Sequence, residues 1–368
     1  MKILHMTPPD INNGVYKYIF NHMPYLDREK YQFSFWTRGK AELMETEEYK
    51  RYGFDIFEIK NVERGDKDAF RREIESVLSK GFDVIHLHTS SWRGFFIEQV
   101  AMELGIKRVI VHSHSTGIDV ADEIERVERT RIHNKFKEEF SFEYATDVCA
   151  CSKLAAEWLY GDNIPKERIK ILPNAINAEK YIYNSKLREE MRRKLGVADR
   201  IVIGNVGRYS FQKNQEFLIK AFAKAVKKNE KLFLLCLGQG EEIDNILTLV
   251  YDLGIKDSVA ILGWQDNVCD YLQAMDAFFL PSRFEGFPIS LIEAQAAGLS
   301  CYVADTVTRE AAITNLVNYL PLEEDKWIAE MVNAKCFPRE NMYEVVSLAG
   351  YDIKGAADVL MNFYDKVY

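Results

Sequence analysis

Several features that would assign a protein class at once are missing from this 368-residue chain. No uninterrupted apolar run approaches the ~18 residues of a membrane-spanning helix, and the apolar part of the N-terminal MKILHMTPP is too short for a signal peptide. The net charge of −8 argues against nonspecific nucleic-acid binding as the main task. Any contact with a membrane is therefore expected to be peripheral.

Metal-binding and redox signatures are also scarce. The six cysteines include no pair with zinc-ribbon spacing, and a buried strand explains the C-x-C of Cys149 and Cys151 better than a metal site does. The D-x-D motif occurs once, at Asp66-Lys67-Asp68, inside a charged segment that indicates the start of a helix. We therefore expect a reduced, cytoplasmic protein without a cofactor and without a metal at its active site.

Strand-like and helix-like segments alternate in both halves of the chain, although no G-x-G-x-x-G follows the first strand. This alternation predicts parallel sheets with helices on both faces, and the length predicts two domains. The charged segment 178–200 is the best linker candidate and ends in a helix. The fold class is thus α/β with two Rossmann-like domains, at 1–180 and 181–352, followed by an amphipathic helix at 353–368.

The most informative stretch is SRFEGFPISLIEAQAAG at 282–298, which follows an apolar strand. Pro288 suits the first turn of a helix and Gly298 suits its C-terminal stop. Glu285 then lies in the turn before the helix, and Glu293 lies inside it, roughly 80° around the axis from Glu285. A helix N-terminus favours phosphate, while carboxylates accept hydrogen bonds from sugar hydroxyls. Together these groups predict a nucleotide-sugar site, and two solvated glutamates are the plain alternative.

This stretch resembles the E-x7-E motif of family 4 retaining glycosyltransferases, which have the GT-B fold. The segment GRYSFQKN is similar to that family's G-R-x4-K-N pattern, in which Arg208 and Lys213 would hold the donor diphosphate. Two fixed cations can stabilise the negative charge that develops on a leaving diphosphate, a role that a divalent metal ion has in other glycosyltransferases. A solvated basic loop is the alternative. The resemblance extends over nearly the whole chain and implies two facing domains, a cleft between them, and a C-terminal helix that crosses back to the first domain.

Further matches to the family pattern imply a larger donor site. In it, Glu285 would orient the sugar and Glu293 would bind the ribose. The G-x-G after a strand would let the backbone pass close to the nucleotide, and the turn at Trp264–Asn267 would flank the base, although it also suits a strand-end turn with a core tryptophan. The additional donor-binding candidates are Gly14, Gly207, Gly238, Gly240, Trp264, Gln265, Asn267, Gly286 and Phe287.

In the first half, the resemblance implies a histidine facing the transferred sugar, and His112 is favoured over His114. Only Gly14 stands where family members often have a glycine pair. The histidines also form two i,i+2 pairs, His86 with His88 and His112 with His114, which on adjacent strands could assemble a zinc site. That alternative stays open beside the expectation of no metal.

The segment ERVERTRIHNKFKEE at 125–139 carries basic side chains among its glutamates, namely Arg126, Arg129, Arg131, Lys135 and Lys137. A solvated helix face is the default interpretation. Contact with anionic lipid or with an acceptor's diphosphate is the functional one. Peripheral association with the inner face of the cell membrane therefore stays an alternative.

The segment DTVTREAAITNLVNYLPLEEDKW also resembles the capsular and exopolysaccharide branch of the family. The resemblance implies a retaining, metal-independent transfer of a hexose from a nucleotide diphosphate sugar, with UDP as the expected nucleotide, to a glycan acceptor. A polyprenyl-diphosphate-linked oligosaccharide is the acceptor hypothesis. A sugar-nucleotide epimerase or hydrolase on the same scaffold and a non-catalytic nucleotide-binding subunit are the alternatives.

Overall fold

A computed structural model describes residues 1–62 and 65–366 of the chain. The chain divides into two compact units. Unit 1 comprises Met1–Ile118, Ile124–Pro173 and Ala356–Tyr368, and unit 2 comprises Asp119–Glu123 and Asn174–Gly355. The helix predicted at 353–368 spans Ile353–Tyr364 in the structure, and residues 367–368 lie outside the described part of the chain.

Unit 1 is built on a parallel sheet that has seven strands within the described residues. The strands follow the spatial order β3-β2-β1-β4-β5-β6-β7. Their bounds are β1 Lys2–Met6, β2 Gln32–Thr37, β3 Asp55–Glu58, β4 Val84–Thr89, β5 Arg108–Ser113, β6 Asp147–Ala150 and β7 Ile169–Ile171. The central strands are almost wholly buried, as expected for a sheet covered on both faces.

Unit 2 is built on a second parallel sheet, with six strands in the part of the chain that is described. Their spatial order is β10-β9-β8-β11-β12-β13. Their bounds are β8 Ile201–Val206, β9 Leu232–Leu237, β10 Val259–Leu262, β11 Ala277–Leu280, β12 Ser300–Ala304 and β13 Val317–Leu320. The predicted fold class, α/β with two Rossmann-like domains, is thereby confirmed.

The α-helices connect the strands and cover the sheets. In unit 1 and the segment beside it they are α1 Gly14–His22, α2 Lys40–Met44, α3 Glu47–Tyr52, α4 Lys67–Leu78, α5 Phe96–Glu103, α6 Glu123–Glu139 and α7 Lys153–Tyr160. The later helices are α8 Ser185–Lys194, α9 Gln215–Val226, α10 Ile243–Asp252, α11 Val268–Ala274, α12 Ile289–Ala296, α13 Glu324–Asn333, α14 Tyr343–Leu348 and α15 Ile353–Tyr364. Across residues 1–62 and 65–366, none of the helices has the length and apolar character needed to cross a bilayer.

Two sequence-based interpretations of charged segments have different outcomes. Asp66 is the N-cap of α4, where its side chain accepts a hydrogen bond from the Ala69 N–H at 2.9 Å, so the helix-start interpretation of the D-x-D motif is confirmed. The linker interpretation of 178–200 is wrong. Arg188 and Arg192 of α8 form largely buried ion pairs with Asp276, at 2.5 and 3.0 Å, so this segment is part of unit 2.

The last turns of α15 pack into the core of unit 1, where Leu360, Phe363 and Tyr364 are buried. Arg108 at the start of β5 holds the end of this helix. Its Nη1 donates to the carbonyl oxygens of Phe363 and Tyr364 at 2.8 and 2.7 Å, and its other nitrogens pair with Asp147. A buried guanidinium thus satisfies the helix's terminal carbonyls while a carboxylate balances its charge.

A buried histidine gives unit 1 a testable dependence on pH. His133 of α6 accepts from the Trp92 N–H at Nδ1 and bonds the Trp158 carbonyl through Nε2, each at 3.0 Å, which requires the neutral ring. Burial lowers the pKa of His133 from 6.5 to about 4, against the opposing effect of the Trp158 hydrogen bond, and nearby Lys137 lowers it further. Between pH 6.5 and pH 4 the unfolded chain therefore binds a proton at His133 that the folded chain does not bind. The contribution of the neutral ring to the free energy of unfolding is thus present above pH 6.5 and is lost as pH falls toward 4.

We expect this single group to lower the free energy of unfolding by about 2 kcal/mol between pH 7 and pH 5. Urea unfolding of wild type and His133→Gln at both pH values measures the effect, because the variant should lose less stability on acidification. Lys135→Gln, an exposed change on the same helix, is the control and should keep the wild-type difference. An unchanged pH dependence in His133→Gln would contradict the assignment.

Candidate active site

The predicted site residues of unit 2 lie at one edge of its sheet, all on loops except Glu293, which lies in α12. Strands β10, β9, β8 and β11 are neighbours, and each is followed at its carboxyl end by a segment that carries candidates. The order reverses between β8 and β11, since β9 lies on one side of β8 and β11 on the other. Ligands of open parallel sheets bind at such a reversal, outside the carboxyl ends of the strands.

The E-x7-E segment folds nearly as predicted. Strand β11 is fully buried, a turn follows, and α12 begins at Ile289. Pro288 is the N-cap, one residue earlier than the expected place inside the first turn. Gly298 adopts a left-handed φ of +71° just past the helix, where a side chain would be strained, so its predicted role as the stop is confirmed.

Glu285 is held in the turn by three hydrogen bonds. The carboxylate keeps only 3% of its surface exposed. Its Oε1 accepts from Lys213 Nζ and from Ser282 Oγ, both at 2.6 Å, and its Oε2 accepts from Gln212 Nε2 at 3.0 Å. The turn is also tied to the loop after β8, because the Arg283 N–H donates to the Gln212 carbonyl at 2.8 Å. The carboxylate is therefore fixed in position, and its charge is balanced by Lys213.

Glu293 has a different environment inside α12. Its side chain is fully buried, and Tyr181 Oη donates to Oε1 at 2.7 Å. Burial and the neighbouring Glu293 charge raise the pKa of Tyr181 well above its ordinary value, so the phenol stays protonated and remains a donor. Tyr181 was not among the sequence-based candidates, because it lies in the segment that was interpreted as a linker.

Arg208, the second predicted cation, is paired with a carboxylate that the sequence argument did not single out. Its Nη2 lies 2.9 Å from both carboxylate oxygens of Glu241, and its Nε lies 3.1 Å from Oε2. Burial alone would raise the pKa of Glu241, but the hydrogen bonds from Arg208 lower it below its ordinary value. Both side chains remain substantially exposed, so an incoming anion could compete for the guanidinium.

The glycines of this edge are required by close packing of two loops on each other. A Cβ on Gly238, which has φ +141°, would lie 2.0 Å from the Gly207 carbonyl oxygen. A Cβ on Gly240 would lie 2.2 Å from the Tyr209 carbonyl oxygen. At Gly207, by contrast, a Cβ would make only an ordinary contact with the Lys213 side chain, at 3.4 Å. The glycines therefore allow the loop after β9 to support the backbone that carries Arg208 and Lys213.

The turn after β10 exposes an aromatic ring. Trp264 is 46% exposed, so the alternative of a core tryptophan is wrong. Its Nε1 donates to Asp266 at 2.9 Å, the Tyr271 hydroxyl donates to Gln265 at 2.8 Å, and Asn267 donates to Asp270 at 2.8 Å. These bonds hold the turn in place while leaving an indole face accessible to a ligand.

The remaining candidates fall into two groups. In unit 2, Phe287 is buried and stacks on Tyr351, with ring centroids 5.0 Å apart, and Gly286 beside it is also buried. In unit 1, Gly14 is the first residue of α1, after the N-cap Asn13, and a Cβ there would meet nothing within 4 Å. Open space over Gly14 leaves room for a ligand near the start of α1.

The predicted histidine has unexpected surroundings. His112 has no exposed surface, and its Nδ1 lies 3.2 Å from His86 Nε2. Burial, followed by the neighbouring histidines, lowers its pKa well below the ordinary value. His114 follows β5 and keeps some exposed surface. The choice between His112 and His114 as the sugar-facing residue stays a prediction.

Two family models match the chain. The model described as glycosyl transferases group 1 matches residues 187–329, and the model described as glycosyltransferase family 4 matches residues 12–180. The first match contains the E-x7-E segment and the loop with Arg208 and Lys213. The second contains α1 and strands β4 and β5 with their histidines.

Individual proteins of known name agree with these models. EpsF of Bacillus subtilis (strain 168), provisionally named a glycosyltransferase, is 28% identical over 99% of this chain and 96% of its own length. The Escherichia coli UDP-Gal:alpha-D-GlcNAc-diphosphoundecaprenol alpha-1,3-galactosyltransferase is 26% identical over 64% of this chain and 60% of its own length.

The fold comparison extends over the full length. The crystal structure of Anabaena Alr3699/HepE in complex with UDP and glucose matches with a TM-score of 0.77 at 17% identity, covering 100% of both chains. At that identity the likeness concerns the fold alone. The two family models, which match residues 12–180 and 187–329, show that this chain belongs to glycosyltransferase family 4.

Proposed function

We propose that the protein is a retaining, metal-independent hexosyltransferase that takes its sugar from a UDP-sugar. The observation that carries the proposal is the Lys213–Glu285 pair, at 2.6 Å, in the loops that follow β8 and β11. An ammonium group has three donors, so Lys213 can hold Glu285 with one and a phosphate with another. Arg208, on the same loop, supplies a second cation for the diphosphate.

In the proposed reaction, the bond between the sugar C1 and the diphosphate oxygen breaks, and a bond from C1 to the acceptor oxygen forms on the same face. The acceptor's proton passes to the departing phosphate. Arg208 and Lys213 stabilise the charge that develops on the leaving group. Glu285 accepts hydrogen bonds from the donor sugar and orients the ring, and Glu293 with Tyr181 binds the ribose.

Glu285 as a covalent nucleophile is a weaker alternative. Both of its oxygens already accept hydrogen bonds, from Lys213, Ser282 and Gln212. Such bonds stabilise the ground-state carboxylate and oppose its attack on C1, whereas an orienting role needs a fixed carboxylate. The front-face route is therefore favoured.

For the acceptor, we propose a polyprenyl-diphosphate-linked oligosaccharide, the class named for the Escherichia coli relative. Helix α6 would suit the approach to a membrane that contains this acceptor, because Ile124 and Val127 are 82% and 63% exposed beside Arg126. Glutamates on the same helix pair with Arg129 and Arg131, which fits the solvated-face interpretation for those positions. The protein would then act at the cytoplasmic face of the membrane.

The test is product analysis in EDTA with UDP-glucose, UDP-galactose and UDP-N-acetylglucosamine, with and without a synthetic polyprenyl-diphosphate-linked sugar. Proton NMR of the product should show the α-anomer, the configuration of the donor, and slow donor hydrolysis without acceptor. A β-linked product would overturn retention. Complete conversion of the donor without acceptor would favour the epimerase or hydrolase alternative, and donor binding without turnover would favour the non-catalytic one.

The Arg208–Glu241 pair leads to a prediction on donor affinity. Glu241→Gln should tighten UDP binding by up to about fivefold, since exposed ion pairs are worth about 0.2–1 kcal/mol and the variant frees Arg208 from that competition. Isothermal titration calorimetry measures the change. Glu242→Gln is the matched control, because Glu242 accepts from Asn245. Weaker binding in Glu241→Gln would mean that Glu241 instead positions Arg208 for the diphosphate.

A further inference from the structure

Five of the chain's seven histidines lie together in unit 1. His5 of β1 is in register with His86 of β4, and His88 of β4 is in register with His112 of β5. Residues in register on parallel strands point to the same face, as do residues two apart on one strand. His114, two residues after His112, completes a set of imidazoles on one face of the sheet.

The histidines are joined in two hydrogen-bonded chains. In the first, His5 Nδ1 lies 3.0 Å from His88 Nε2, and His88 Nδ1 lies 2.8 Å from His114 Nε2. In the second, His112 Nδ1 lies 3.2 Å from His86 Nε2, and His86 Nδ1 lies 2.8 Å from the Tyr364 hydroxyl. A neutral imidazole donates through one ring nitrogen and keeps a lone pair on the other, so such chains can present a nitrogen to an ion.

Three buried polar atoms in or beside these chains lack a hydrogen-bond partner among the residues that the structure describes. One is His5 Nε2, and another is His112 Nε2, on a ring with no exposed surface. The third is the hydroxyl of Tyr18 on α1, whose ring packs edge-on against His112 with centroids 5.1 Å apart. Each such atom costs about 1–3 kcal/mol, and an ion or water is the usual explanation.

We infer that unit 1 binds one first-row transition-metal ion, of the Zn²⁺ class, through His88, His112 and His114. One ring nitrogen from each of these residues lies within 4.8 Å of the other two. His112 Nδ1 is occupied by His86, which leaves Nε2, the atom without a partner, to bind the ion. The separation between His88 Nδ1 and His114 Nε2 is short enough for an ion at about 2.0–2.1 Å from each nitrogen to replace their hydrogen bond.

Two other triplets of potential ligands, His5 with His86 and His88, and His86 with His112 and Cys149, are less suitable. In the first, both nitrogens of His86 are bonded to groups outside the triplet, His112 and Tyr364, whereas the bond that an ion would replace in the proposed set joins two of its own ligands. In the second, the Cys149 thiol is fully buried, and its Sγ lies 3.6 Å from the Val111 carbonyl oxygen. His88 and His114 keep some exposed surface, which gives an ion a route into the site.

The remaining histidines provide the outer support that metal-bound imidazoles need. A ligating histidine donates its second N–H to an acceptor, which fixes the ring's orientation. Here His88 Nε2 faces His5, and His112 Nδ1 faces His86, which in turn bonds Tyr364 on α15. Three imidazoles without a carboxylate favour Zn²⁺, Cu²⁺, Ni²⁺ or Co²⁺ over Mg²⁺ or Ca²⁺, and they leave a coordination position open.

The test titrates the chelator-treated, full-length protein with Co²⁺ and then with Zn²⁺. We expect one Co²⁺ per chain with the visible absorption of a low-symmetry nitrogen site, displacement by one Zn²⁺, and a rise in Tm with Zn²⁺. His112→Gln and His114→Ala should each weaken Zn²⁺ binding at least ~10-fold. His133→Gln, a buried histidine of the same unit outside the cluster, should bind as wild type does.

Absence of stoichiometric binding in the wild type, or undiminished binding in both ligand variants, would overturn the inference. Circular dichroism shows whether each variant folds. If His112→Gln fails to fold, the comparison of Zn²⁺ affinity with wild type rests on His114→Ala, which changes a more exposed residue. UDP binding in EDTA is measured on the same samples. Because Zn²⁺ binding uses histidines of unit 1, while the proposed UDP-binding residues Arg208, Lys213 and Glu293 belong to unit 2, failure of one measurement does not imply failure of the other.

Discussion

Lys213→Ala is expected to lower both the free energy of unfolding and kcat. The substitution leaves Glu285 as a buried carboxylate without its cation, and breaking a buried pair in this way costs about 3–5 kcal/mol. We expect the lower end, because 17% of the Lys213 side chain is exposed. Loss of the cation at the leaving diphosphate should also reduce kcat by about 10²–10³-fold. Urea unfolding and steady-state kinetics measure the two effects.

The double variant Lys213→Ala with Glu285→Gln separates these effects. Neutralising the carboxylate should recover most of the lost stability, while kcat stays low because neither charge is restored. Lys220→Ala is the matched control, since Lys220 forms an exposed i,i+4 pair with Glu216 that is worth about 0.3–0.5 kcal/mol. Wild-type stability and turnover in Lys213→Ala would refute the role given to the pair.

Gly238→Ala is expected to have the second largest effect. The new Cβ would lie 2.0 Å from the Gly207 carbonyl oxygen, and the residue would keep a φ of +141° that side chains rarely adopt. Crowding and backbone strain each cost about 1–3 kcal/mol, so a loss of roughly 2–6 kcal/mol in the free energy of unfolding is expected. Displacement of the loop with Arg208 and Lys213 should weaken UDP binding at least ~10-fold.

The control for this change is Gly355→Ala in α15, where a Cβ meets nothing within 4 Å. Because alanine is a better helix residue than glycine, this variant should gain about 0.5–1 kcal/mol. Thermal unfolding and UDP titration of both variants give the comparison. Equal Tm and equal UDP affinity in wild type and Gly238→Ala would show that the two loops do not depend on this close approach.

The strands were predictable because most of them are short apolar runs. The turn and helix after β11 were predictable because Pro288 and Gly298 have strong local preferences for the start and the end of a helix. Hydrogen-bond partners were not predictable. In the sequence, Ser282 and Gln212 are ordinary loop residues. They become hydrogen-bond donors to Glu285 only because the fold places the turn after β11 against the loop after β8. Tyr181 reaches Glu293 across 112 positions of sequence, from a segment whose charge suggested a linker.

The histidine cluster of unit 1 could be predicted only in part from the sequence. The i,i+2 spacing on β4 and β5 predicted two imidazole pairs on strand faces. It could not predict that β1 lies beside β4 and adds His5, or that α15 returns Tyr364 to His86. For the same reason the sequence favoured His112 as the sugar-facing residue, although packing leaves that ring without exposed surface.

The central claim is a metal-independent diphosphate site around Glu285, Glu293, Arg208 and Lys213. Its most direct test is the Tm of wild type, Arg208→Ala and Arg72→Ala in EDTA with UDP and other nucleoside diphosphates. UDP at about 100 times its Kd adds about 2.7 kcal/mol, enough to raise Tm by several degrees. The account predicts this rise in wild type and in the exposed control Arg72→Ala, and its loss in Arg208→Ala. No rise with any nucleotide, or a rise that requires a divalent metal, would contradict it.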